Sequence, residues 1–122
     1  MKQWIAVHTF ISEETRRAYC TPPEERDPPE EPMTQNQWVE FATTLPRAKC
    51  VQEWLGKEDF FFCHWEAETQ DDILAQLEDL GLDKLIQTAC YEMHRFTSAF
   101  RDSDELRPVS YTHLTLPTLL LV

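Results

Sequence analysis

The chain has 122 residues, 22 of them acidic and 11 basic, for a net charge of −11. Such a surface repels polyanions and no Lys/Arg cluster offsets it, so nucleic acid and anionic membrane are poor partners. The length suits one domain with a modest core. A 42% hydrophobic content with seven Phe and four Trp argues for packing rather than disorder.

Lys2–Phe10 (KQWIAVHTF) alternates with period two, as a half-buried strand does. Ser12 is placed to cap a short helix, with Glu13 and Glu14 favourable in its first turn. Residues 21–32 (TPPEERDPPEEP) hold five prolines among many acids and read as an exposed acidic loop. Thr34 and Gln37 form a capping box, and Trp38, Phe41, Ala42 and Leu45 follow at helical spacing before Pro46 ends the run.

Residues 48–55 and 59–67 read as two strands joined by a short hairpin at Gly56-Lys57-Glu58. Thr69 caps the next helix, whose stripe is Ile73, Leu74, Leu77 and Leu80, with Gly81 at the residue after its end. Residues 86–96 form the last expected strand. The order is β-α-β-β-α-β, an α+β, ferredoxin-like arrangement: a four-stranded antiparallel sheet with helices on one face. The other face needs a ligand, a polar surface or a partner subunit, and pairing two such faces would give a dimeric α/β barrel.

The domain is expected to span residues 1–108. Val109–Thr118 (VSYTHLTLPT) resembles the translation of a transposase-based sequencing adapter, and the 109–122 segment is set aside from the fold as a non-native tail. That removes His113 as a ligand.

Four cysteines lie at 20, 50, 63 and 90 with no CxxC pair, which gives no support to a zinc ribbon or thioredoxin-like site. No apolar run approaches the ~20 residues of a membrane span. No secretory signal pattern opens the chain, so reduced thiols and a cytoplasmic location are expected. Only two glycines occur, so no phosphate-cradling loop and no nucleotide cofactor are expected.

The segment CVQEWLGKEDFFFCHWEAET (Cys50 to Thr69), followed by LGLDKLIQTA, resembles a family of small ferredoxin-like nickel-binding proteins that carries a domain-of-unknown-function label. The matching positions are Val51, Gln52, Trp54, Cys63, Glu66, Ala67, Gly81 and Leu82, within residues 48–93. The resemblance implies a homodimer through the free sheet face, and Ni²⁺ as the bound ion. The long acidic Pro-rich insertion departs from that pattern, as do His64 and Trp65.

Three histidines fall on expected strands. If Ile5/Val7, Cys63/Trp65 and Tyr91/Met93 face the helices, then His8, His64 and His94 share the free face with Glu66 and Glu92. Imidazoles with carboxylates suit nickel or another divalent transition metal. A second reading is an enzyme on a small organic molecule, of the cofactor-free monooxygenase or isomerase type. There Trp4, Phe10, Trp54 and Phe62 would line a pocket and His8 or His64 would act as base. A third is a plain protein-interaction module.

Overall fold

The computed structural model describes residues 1–107. The adapter-like tail, its His113 and Pro108 lie outside the described residues. The strands are β1 (Lys2–Phe10), β2 (Lys49–Leu55), β3 (Phe60–Ala67) and β4 (Ile86–Met93). The helices are α1 (Glu13–Cys20), α2 (Gln35–Thr43) and α3 (Gln70–Asp79). The sheet is antiparallel with order β2-β3-β1-β4, which is ferredoxin-like. The crossover between β1 and β2 carries two short helices rather than one.

Local chemistry sets these boundaries. The Ser12 hydroxyl accepts from the Thr15 amide at 3.1 Å while Thr15 Oγ1 accepts from the Ser12 amide at 3.0 Å, closing a capping box. Thr34 and Gln37 close a second box in front of α2, at 3.1 and 2.9 Å. Thr69 Oγ1 accepts from the Asp72 amide at the start of α3. Gly81 adopts φ +75°, the left-handed region that a Cβ makes costly, and turns the chain out of α3. Within the acidic loop, Pro23–Glu25 makes a single 3-10 turn, with proline at a position that needs no amide donor. β4 stops at Met93, three residues short of the expected end.

The core lies between the sheet and the helices. Trp4, Ala6 and Phe10 of β1 pack with Phe61, Cys63, Trp65 and Ala67 of β3 against Ala42 of α2 and Ile73 and Leu77 of α3. Gln76 of α3 is buried among them, and its Oε1 accepts from the Arg47 and Ala48 amides at 2.8 and 3.3 Å. This side chain ties α3 to the start of β2 and satisfies two amides that no strand partner takes.

The register corrects the expected faces of two strands. Directly paired residues share a face, and Trp4 pairs with Trp65, Ala6 with Cys63 and His8 with Phe61. β1 therefore turns Trp4, Ala6, His8 and Phe10 to the helices and leaves Ile5 and Val7 on the free face. β4 follows β1: Ile86, Thr88, Cys90 and Glu92 pair on the helix side, and Ala89, Tyr91 and Met93 on the free side. β3 keeps its expected orientation, and Trp54 of β2 shares the free face with Phe62 as expected. Because the side-chain period is two, a strand assigned to the wrong face turns every residue over.

Candidate functional site

The five expected ligands do not come together. His64 and Glu66 face outward on β3, and His94 follows β4 at the same end of the sheet, lining a groove with Gln3 and Glu66. His8 lies on the opposite side, beneath the helices and 1% exposed. Glu92 shares the helix-side parity and ion-pairs with Lys2 at 3.8 Å, both side chains about half exposed. Among the described residues no group of three or more His, Cys, Asp or Glu side chains is placed to hold a metal ion. The expected set does not fit a common ion.

His64 instead sits in a polar chain across the free face. Gln52 Nε2 donates to its Nδ1 at 3.1 Å, and its Nε2–H donates to Gln3 Oε1 at 2.5 Å. Gln3 Nε2 in turn donates to Glu66 Oε2 at 2.9 Å. Both ring nitrogens are engaged, which fixes the neutral tautomer with its proton on Nε2. Burial lowers the His64 pKa, and the Glu66 carboxylate offsets part of that.

The segment after β4 folds back over this end of the sheet. Phe96 sets its edge against the His64 ring with centroids 4.7 Å apart, and the Arg101 guanidinium stacks over Phe96 at 5.2 Å. Between this segment and the sheet runs an open groove of about 530 Å³, bordered by Gln3, Glu66 and His94.

The other half of the free face is apolar, and none of the described residues covers it. Trp54, Phe62 and Tyr91 are 50%, 39% and 55% exposed, and Phe60 and Met93 are nearly as open. Ile5 and Val7 lie half-buried between them. Of the four aromatics expected to line one pocket, Trp54 and Phe62 stand on this face, whereas Trp4 and Phe10 belong to the core.

Beneath the helices, His8 forms a second polar locus. Its Nδ1 and Thr88 Oγ1 are hydrogen-bonded at 2.7 Å, and its ring lies 4.7 Å from that of Phe61. Burial lowers its pKa from 6.5 to about 4. Nearby, Tyr19 donates its hydroxyl to Glu53 Oε2 at 2.5 Å. Burial first, then the Glu53 charge, raise the Tyr19 pKa, so the phenol stays protonated. These groups border a cavity of about 80 Å³ between sheet and helices. All four cysteines are free thiols. Burial raises the Cys90 pKa to about 11, and Cys63 is raised by its hydrogen bond with Cys50 and by burial, so neither supplies a thiolate near neutral pH.

Sequence reasoning missed Gln3, Gln52, Phe96 and Thr88. Gln3 carried no usable signal, because it shares the parity of Ile5 and Val7, whose face alternation alone leaves open, and Gln52 comes opposite His64 only through the register shift in β2. Phe96 carried none, since its position follows from where β4 ends. Among the described residues no helix is long and apolar enough to cross a membrane. Comparison of the chain with protein-family models, with curated proteins and with solved structures finds no match. The ferredoxin-like arrangement therefore stands on the topology itself.

Proposed function

We propose that this chain is a self-associating domain that binds a small organic ligand, with a second copy of itself covering the apolar half of the free sheet face. The bare face carries the proposal. A single sheet with helices on one side leaves its other side to be covered, and exposed apolar area on this scale marks an interaction surface.

Charge favours a second copy as the cover. The chain carries −11 overall, yet Ile5, Val7, Trp54, Phe60, Phe62, Ala89, Tyr91 and Met93 hold no charge. Two copies can meet there about a two-fold axis without opposing like charges, while the acidic loop 21–32 stays in water. Stacked sheets sit about 10 Å apart, a separation that large interdigitating side chains such as Trp54 and Phe62 fill.

Sedimentation equilibrium tests the proposal. The unsubstituted chain is expected to weigh twice its 14.4 kDa at micromolar concentration. Phe62→Glu and Trp54→Glu are each expected to give the monomer mass with helical circular dichroism retained. An unsubstituted chain that stays monomeric across that range would sink the self-association reading.

A further inference from the structure

Trp65 lies in the second half of β3 and is 3% exposed, yet its Nε1–H has no hydrogen-bond partner among the described residues. The contrast with Trp4 is direct: that indole donates to the Ala67 carbonyl at 3.0 Å. A buried donor without an acceptor is costly, and native chains hold few of them. Trp65 is also a wall of the cavity of about 80 Å³ beneath the helices, together with His8, Phe61, Trp38 and Leu77. Phe41 lines the same cavity and is 42% exposed, which brings the cavity near the surface beside α2.

A cluster of waters suits this space poorly. A buried water takes about three hydrogen bonds, and the wall is mostly hydrocarbon and aromatic. The Tyr19 hydroxyl and Glu53 carboxylate are engaged with each other, and His8 Nδ1 with Thr88. A guest with one acceptor and an apolar body suits it better. An anion would meet the Glu53 carboxylate, and an ammonium ion offers no acceptor to the indole. The volume is about half the ~150 Å³ of an engineered cavity that holds benzene, which limits a guest to roughly three or four non-hydrogen atoms.

We propose that this cavity binds a small uncharged carbonyl compound, whose oxygen accepts the Trp65 Nε1–H while its aliphatic body fills the space against Phe61, Leu77 and Trp38. The inference rests on the ligand-binding half of the proposed function and is independent of whether the chain self-associates.

The test uses the ¹⁵N-labelled full chain, titrated with acetone and with its alkene isostere 2-methylpropene. Acetone is expected to move the Trp65 indole N–H resonance downfield, saturably, and to leave that of Trp4 in place. In Trp65→Phe, which keeps an aromatic wall and removes the donor, the acetone-to-alkene affinity ratio is expected to fall about fivefold, the worth of one neutral hydrogen bond. An unchanged ratio, or saturable binding of both compounds without movement of the Trp65 resonance, overturns the carbonyl assignment and leaves a binding cavity. No saturable shift with either compound overturns the site and the ligand-binding reading with it. Should Trp65→Phe fail to fold, the indole resonance of the unsubstituted chain decides between these outcomes.

Discussion

Lowering the pH should destabilise this fold through His8. Its pKa in the folded chain, about 4, lies below the ordinary 6.5 because burial disfavours the imidazolium. The folded state then binds fewer protons than the unfolded state between those values. Stability is present in full above about pH 6.5 and is lost as pH falls toward 4. From the two values, the loss between pH 7.5 and pH 5.5 is on the order of 1 kcal/mol. Working at pH 5.5 keeps the chain clear of its isoelectric point near 4.6, where low net charge favours precipitation.

Urea unfolding followed by tryptophan fluorescence, at fixed protein concentration, measures this. The comparison is with His8→Gln, which keeps a polar group near Thr88 and removes the titration. The variant should be less stable at pH 7.5 but should lose on the order of 1 kcal/mol less than the unsubstituted chain on going to pH 5.5. His64, also lowered by burial, contributes in the same direction and cancels in the subtraction. Equal pH dependence in the two chains would refute the claim that His8 is held neutral in the core.

Replacing Gln76 by leucine preserves volume but strands the Arg47 and Ala48 amides, and should cost about 2–4 kcal/mol in the same urea assay. A cost below about 0.5 kcal/mol would mean that water reaches those amides. In a calorimetric titration with Ni²⁺, His8→Gln should leave any heat unchanged, because His8 lies across the sheet from His64, Glu66 and His94. Loss of nickel binding in that variant would contradict the division of faces.

The helix caps, the hairpin, the acidic loop and the orientation of β3 were legible because each has a local cause: a Ser or Thr before a helix, a glycine after it, alternation with one apolar side. β1 and β4 were misread for a shared reason. In β1 both parities are apolar, Ile5 and Val7 against Trp4, Ala6 and Phe10. In β4 the parity with Ala89, Tyr91 and Met93 is the more apolar one, yet it faces outward. Alternation identifies a face as apolar without saying what covers it. A strand that must satisfy helices on one side and carries a bare apolar surface on the other gives two equal answers. The site inherited that ambiguity, since two turned strands moved His8 and Glu92 away from His64. The role of Gln76 was hidden for another reason: within a helical stripe a glutamine reads as an interruption, and the amides it serves lie almost thirty residues away.

The break in register between Cys50 and Gln52 of β2 has a bearing on how the chain behaves in a crowded solution. β2 is one rim of an open sheet, and an unprotected rim invites other strands to add on and begin a growing stack. The extra residue interrupts the row of donors and acceptors there, so a strand arriving from another molecule loses its pairing after two or three bonds. Lateral growth along that rim is discouraged, so the rim of β2 is a poor template for fibres.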